Sequence, residues 1–295
     1  MDRRSIAVVG TGAVGQAIGR LLYLHGQPIV AVAGRTPAKA EHAAAFMGPR
    51  VGAVPLVEVP HCAERVLVAT SDTGINAVAE TLASAGFVGV ALHTCGARGP
   101  EALMTLQRTG SACGVLHPLQ TIVSPAQGVE DLNGISFGLA GDPEALDWGR
   151  DIIALLNGRE ISVAPGRMAL YHAGAVIASN GMVALIDAAV RLMEEAGVES
   201  QSALDGLGPL SRATLNNVLA SGPRAALTGP IARGDAETVR LHMDALPDAP
   251  KDIGALYRSL GRSLLGLARR RGLPESSLRA IAAALEMEHA GDAND

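Results

Sequence analysis

Aromatic residues are scarce in this sequence: Phe, Tyr and Trp make up 2% of its 295 residues. That excludes the aromatic platforms on which nucleic-acid bases stack. An excess of positive charge is also missing. The formal net charge is -5, so no basic footprint for DNA or RNA is expected. Cysteine is limited to Cys62, Cys95 and Cys113, with no CxxC pair. This rules out a disulfide framework and a cysteine zinc site, leaves no metal expected, and suits a reducing compartment. No clean membrane segment is evident. The longest apolar stretch, Met168 to Val190, contains His172, Asn180 and Asp187, which are costly in lipid, so a helix buried in protein is expected. Arg3-Arg4 precedes only a brief apolar run broken by glycines, a first strand rather than an export signal. The expected location is the cytoplasm.

What the chain does have is a hydrophobic fraction of 48% against 18% charged residues. Its length suits two domains of ordinary size. The most informative stretch is the beginning. Ser5-Ile6-Ala7-Val8-Val9 is a short β-branched run that feeds into Gly10-Thr11-Gly12-Ala13-Val14-Gly15, followed by apolar residues at helical spacing through Leu22. Strand, glycine turn and helix in that order form the opening of a dinucleotide-binding βαβ unit. Gly10 allows the tight turn, Gly12 lets backbone approach a pyrophosphate, and Gly15 lets the helix pack on the strand. The N–H groups and positive dipole end of the helix then hold the phosphates. In a chain with 35 glycines the motif alone is weak evidence, and the correct flanks on both sides make it specific.

A second strand, Pro28–Ala33, ends at Gly34-Arg35-Thr36. An acid that would grip the ribose hydroxyl of NAD is absent there. Arg35, beside the Thr36 hydroxyl, suits the 2′-phosphate of NADP(H) through its planar fork of donors. Further strands follow at Arg65–Thr70, Val88–Leu92, Ala112–Leu116 and Ile135–Ala140, with a helix from about Gly74 to Ala85 and another through Leu156. In open α/β sheets the ligand lies beyond the carboxyl ends of the strands, so Thr70-Ser71, His93 and His117 are placed at or beside the coenzyme cleft.

After Pro165 the character changes to helix: Arg167–Ala196, about Gln201–Ala220, Ala236–Leu246, Ile253–Arg271 and Ser276–Glu288, with a frayed tail over 291–295. The expected fold class is α/β, an N-terminal doubly wound Rossmann domain over 1–164 and an all-α domain over 165–295. At about 100° per residue, with His172 at zero, Ser179 falls at about -20°, Val183 at about 20°, Asp187 at about 60° and Asn180 at about 80°. The polar residues thus share one stripe, which should face a cleft, a partner or a ligand, or satisfy itself in a core.

Reduction of a C=O or C=N by a nicotinamide needs a donor for the developing charge and an anchor for the substrate. His172 is the first candidate donor, with Asn180 orienting the carbonyl. His117 and Gln120 come second, and His93 third, with a structural role favoured for it. Cys95 reads as a small packing residue. Ser179 is a candidate substrate contact. In Leu227–Asp235, Thr228, Arg233 and free backbone N–H groups are suited to a substrate carboxylate, or the segment is an ordinary interhelical connection.

These motifs together, with His93-Thr94-Cys95-Gly96-Ala97, His117-Pro118-Leu119-Gln120, Tyr171-His172-Ala173-Gly174-Ala175, Ser179-Asn180 and Ala226–Asp235, resemble the bacterial Rossmann-like proteins that carry a C-terminal helical domain of unknown function. That family is related more distantly to pyrroline-5-carboxylate reductase, ketopantoate reductase and the 6-phosphogluconate and β-hydroxyacid dehydrogenases. The resemblance spans nearly the whole chain. It implies NADP(H) as cofactor, a homodimer formed through the helical domain, a small-molecule substrate, and reduction of a small 2-oxo acid with ketopantoate as leading candidate. Imine reduction, or NADP(H) sensing without turnover, are the alternatives. The chain departs from the family pattern in having Cys95 where Ser is common and Thr121-Ile122 where Ser-Phe is common. The interdomain lysine of the dehydrogenases has no counterpart; His172 is the residue that stands in its place.

Overall fold

A computed structural model describes residues 4–286. They divide into two compact units, one ending at Ser179 and the other beginning at Asn180. The first unit is built on one eight-stranded sheet: β1 (Ile6–Val9), β2 (Ile29–Ala33), β3 (Gly52–Ala53), β4 (Arg65–Val68), β5 (Val90–His93), β6 (Ala112–Pro118), β7 (Ser136–Gly141) and β8 (Arg159–Ser162). Their order is β3-β2-β1-β4-β5-β6-β7-β8, a doubly wound arrangement in which β1 pairs in parallel with both β2 and β4. Only β6 and β7 run antiparallel.

The strands are buried on both faces because their residues are apolar on both. Ile6 and Val8 of β1 join one core with Leu67, Leu92, Leu116, Phe137 and Trp148. Ala7 and Val9 join the other with Val66, Val68, Ala91 and Cys113. The helices that cover them are α1 (Ala13–Leu24), α2 (Pro37–Met47), α3 (Ile75–Ser84), α4 (Met104–Arg108), α5 (Pro125–Asp131), α6 (Pro143–Leu155) and α7 (Met168–Ala178). Between β6 and β7 the chain turns back through α5, which lies close against α1: a Cβ on Gly128 would be 2.6 Å from the Cβ of Ala17.

The second unit is helical, with α8 (Asn180–Glu195), α9 (Ser200–Ser221), α10 (Pro223–Ala226), α11 (Gly229–Arg233), α12 (Ala236–Ala245), α13 (Lys251–Arg271) and α14 (Glu275–Leu285). Its core is Ile231, Val239, Met243, Ile253, Ile281 and Leu285 with their neighbours. Arg191 of α8 donates to both carboxylate oxygens of Asp252 on α13, at 2.8 and 3.1 Å. The end of the last expected helix at Glu288 and the tail over 291–295 lie outside the described residues.

Three expectations need correction. The continuous helix Arg167–Ala196 is interrupted at Ser179 (φ -100°, ψ -72°). The division between units also falls at Ser179 rather than at Pro165, because Met168 and Tyr171 of α7 pack against Val115 of β6 and Ala140 of β7. The segment Met168–Glu195 is long and apolar enough to cross a membrane by length and composition, and only 6% of its apolar window is buried. The expectation of a buried helix therefore fails for most of it.

Leu92 of β5 is fully buried in the first core. Leu92→Ala is expected to lower unfolding stability by about 2–5 kcal/mol through lost burial and an incompletely collapsed cavity. Urea titration followed by the fluorescence of Trp148, the single tryptophan, measures it.

Candidate functional site

The glycine loop lies at the carboxyl end of β1, and its three glycines have three distinct environments. Gly10 has φ +127°, and a Cβ there would lie 2.2 Å from the carbonyl oxygen of Ala69. Only glycine tolerates that turn and that approach. A Cβ on Gly15 would lie 2.9 Å from the Cβ of Ala69 and 3.3 Å from Cγ1 of Val8, so this position sets how closely α1 rests on the sheet. Around Gly12 nothing lies within 4 Å of an added Cβ. Gly12 is also the N-cap of α1, with no side chain capping it, so the first N–H groups of the helix face open space. Gln16, 7% exposed, donates from Nε2 to the carbonyl of Thr11 at 2.8 Å and braces the loop. A polar residue at a buried position just after the glycines was the available signal for it.

The loop opens into a cavity of about 1090 Å³ lined by Gly10, Thr11, Gly12, Ala13, Val14, Gln16, Arg35, Lys39, His42, Thr70, Ser71, Asp72, Thr94 and Cys95, among others. Of the expected coenzyme contacts, Gly15 and Thr36 do not line it. Gly15 packs behind the loop, and Thr36 is the exposed N-cap residue of α2. Sequence reasoning missed Lys39 and His42, which stand on the first turns of α2 beside Arg35. These donors fit an anionic coenzyme: a helix N-terminus with an open cradle, and two cations with an imidazole, line the same cavity. Thr70, Ser71 and Asp72 form the wall beyond β4. Their side chains do not cap α3, whose N-cap is Gly74. A 3₁₀ turn, Asp72–Gly74, intervenes.

Three histidines gather near the ends of β5 and β6, and the structure gives them different environments. His93 is fully buried. Its Nε2 lies 3.0 Å from the carbonyl of Gly99, and its Nδ1 accepts from the N–H of Cys95 at 3.2 Å. The ring is thereby the neutral Nε2–H tautomer, and burial holds its pKa below the ordinary value. Both nitrogens are occupied in shaping the loop from Cys95 to Gly99. Cys95 is buried; burial first, and its hydrogen bond with Asp72 second, push the thiol pKa up.

His117 and His172 have ring centroids 5.6 Å apart at an interplanar angle of 79°. Gly96 makes room for both: a Cβ there would lie 2.5 Å from His172 Cδ2 and 2.6 Å from His117 Nε2. Burial, followed by the proximity of His172, depresses the pKa of His117 to about 4. Its Nδ1 lies 3.0 Å from the hydroxyl of Tyr171, a partner that sequence reasoning did not single out. Ser179 Oγ lies 3.3 Å from Thr121 Oγ1. Gln120 is exposed, its side-chain oxygen accepting from the N–H of Thr121 at 2.9 Å, and it does not line the cavity.

The other expected residues lie in the second unit. Asn180 is the exposed first residue of α8. Thr228 and Arg233 are exposed at the two ends of the five-residue helix α11. Asp235 accepts from Thr238 N at 3.0 Å and Thr238 Oγ1 at 2.7 Å, and these bonds hold its carboxyl below the usual carboxylate range. Arg271 donates to the carbonyl of Leu227. The segment as folded is a capped interhelical connection.

Residues 5–92 match the family model described as NADP oxidoreductase coenzyme F420-dependent, and residues 135–264 match the domain of unknown function DUF2520. Among solved structures, protein TM1727 from Thermotoga maritima is similar at 24% identity and TM-score 0.71, over 90% of this chain and 98% of that one. BF3122 from Bacteroides fragilis, provisionally assigned as an NADP oxidoreductase, is similar at 24% identity and TM-score 0.69, over 88% and 97%. The imine reductase from Myxococcus stipitatus, solved with NADP+, shares the fold at 15% identity and TM-score 0.55, over 95% and 92%. No curated protein matches the sequence. The chain therefore joins a Rossmann domain of the NADP-oxidoreductase type to a DUF2520 segment.

The open cradle at Gly12 yields a direct test. Its φ of -79° is ordinary for any residue, so Gly12→Ala folds with unchanged melting temperature while its methyl projects into the phosphate path. NADPH affinity, read by calorimetry, is expected to fall at least about tenfold. Arg35→Ala is expected to weaken NADPH by roughly 10- to 100-fold, the worth of a charge-assisted contact, and to leave NADH unchanged.

Proposed function

We propose that the chain is an NADPH-dependent reductase of a small 2-oxo acid, with ketopantoate the leading candidate. The observation that carries this reading is the His117–His172 pair packed over Gly96, one residue from Cys95 in the wall of the cavity that starts at the glycine loop. When bound, the nicotinamide supplies the hydride that adds to the substrate carbon. The carbonyl π electrons then move to oxygen, which takes a proton as the O–H bond forms. His172 is assigned as the donor of that proton. His117, neutral at pH 7 because its pKa lies at about 4, is assigned a hydrogen bond to the same oxygen, stabilising the charge that develops there. Thr121 and Ser179, already in contact with each other, and the neighbouring Gln120 are assigned to the substrate's polar end. The three free cysteines suit a reducing compartment, and the reaction is placed in the cytoplasm.

The test is NADPH oxidation by the purified protein against a panel of small 2-oxo acids and cyclic imines. Turnover of an oxo acid is expected, and His172→Ala is expected to lower kcat by about 10²–10⁴-fold while leaving NADPH affinity unchanged. Turnover confined to the imines replaces the substrate class. NADPH binding without turnover on any member defeats the reductase reading and leaves a nucleotide-sensing protein.

The proposal includes a homodimer through the helical unit. Within that unit α8 exposes Val183 (71%) and Met182, and α9 exposes Leu210 (63%) and Leu219 (75%). Apolar exposure on this scale marks an interaction surface. Polar residues such as Asn180 and Asp187 on α8 disfavour lipid as the cover. Light scattering after size exclusion is expected to give twice the chain mass. The double variant Val183→Glu, Leu219→Glu is expected to run as a folded monomer. A wild-type monomer that partitions onto liposomes would overturn this part.

A further inference from the structure

We infer that Tyr171 is a positioning residue: its hydroxyl donates to Nδ1 of His117 and so fixes the proton of that ring on Nε2, the nitrogen that faces the gap left by Gly96. The inference deepens the reductase reading and rests on it for its catalytic consequence, while the tautomer itself stands on geometry. The two atoms are 3.0 Å apart, within hydrogen-bond range, and the rings meet edge to face at 88° with centroids 5.6 Å apart.

The direction of that bond follows from the proton inventory. Burial raises the pKa of the Tyr171 phenol above its ordinary value, so at neutral pH the oxygen carries its proton and has one to give. The phenol rests against the backbone of Gly138, where a Cβ would lie 2.7 Å from both Cζ and the hydroxyl oxygen. Nδ1 of His117 is the acceptor in reach of the phenol hydrogen, at 3.0 Å. A neutral imidazole has one nitrogen that accepts and one that donates. With Nδ1 accepting, Nε2 carries the hydrogen.

Two glycines on two strand ends make the arrangement possible. Gly138 lies directly across from His117 in the β6–β7 register, which brings the phenol over the ring. Gly96 keeps Nε2 uncovered by any side chain of its own. The charged and titratable groups that influence His117 are His172 and His93, which disfavour its protonation, and Asp72, which favours it. The result is a neutral donor of fixed orientation, which suits polarising a carbonyl oxygen without storing a proton.

The experiment is long-range ¹H–¹⁵N correlation of the histidine rings in the whole protein, with His117→Asn identifying the signals. In the wild type, Nε2 is expected to be the pyrrole-type nitrogen of His117 and Nδ1 the pyridine-type, with no protonation until the pH approaches about 4. Tyr171→Phe keeps the ring and the packing. It is expected to produce a mixture of tautomers and a higher titration midpoint, with kcat about tenfold lower and unchanged NADPH affinity. A wild-type ring protonated on Nδ1, or a Phe variant whose tautomer and titration match the wild type, overturns the inference. These spectra are read without substrate. A protein that turns over nothing, with the tautomer as stated, fails the reductase reading and leaves the hydrogen bond standing.

Discussion

The contact between Gly10 and the carbonyl of Ala69 is the constraint from which the rest of the first unit follows. With its added Cβ position only 2.2 Å from that oxygen, the loop after β1 is locked against the chain leaving β4. That lock fixes where α1 begins, and so where its unpaired N–H groups sit. It also sets Thr70, Ser71 and Asp72 as the facing wall of the cavity. Gly15, pressed on Ala69 and Val8, holds the helix in the same place from behind. Gly12 contributes by leaving open the space a Cβ would take.

The same device recurs at the other end of the site. Gly96 and Gly138 are ordinary glycines by sequence, yet each removes a side chain where an aromatic ring has to pass. Through them, β5, β6, β7 and α7 deliver His117, Tyr171 and His172 to one place. Burial of that cluster lowers the pKa of His117 to about 4, because charging a ring in a poorly solvated setting is unfavourable. Removing local bulk and raising the cost of charge are therefore one structural event.

How far this was legible in the sequence depended on the range of the signal. The βαβ opening was readable because strand, turn and helix lie within twenty-odd residues and each glycine has a local task. α2 was harder. Its Ala-rich face has little amphipathic contrast, so Lys39 and His42 went unplaced although they stand beside Arg35 in the cavity wall. Tyr171 was not singled out, since a tyrosine within a helix carries no sign of a partner 54 positions away. The interruption at Ser179 was hidden for a related reason: apolar residues resume at Met182 just past Ser179-Asn180-Gly181, so helical spacing reads through a short polar break. The antiparallel β7 was read as one more strand because its direction depends on where α5 packs, which no periodicity reports.

The three histidines show why residue type alone assigns no role. His93 has both nitrogens bonded to the backbone, at Cys95 and Gly99. Protonating it would cost the bond from Cys95, and turning it would cost both, so its work is to hold the loop. His117 has one nitrogen bonded and the other facing a gap made by glycine. It is held in orientation but keeps a donor to offer. His172 meets His117 edge on, close enough that it disfavours protonation of His117. The proposed reduction needs a division of labour, a fixed donor to steady the oxygen and a second group to release the proton. Here it comes from the bonding of the nitrogens rather than from any difference between the side chains.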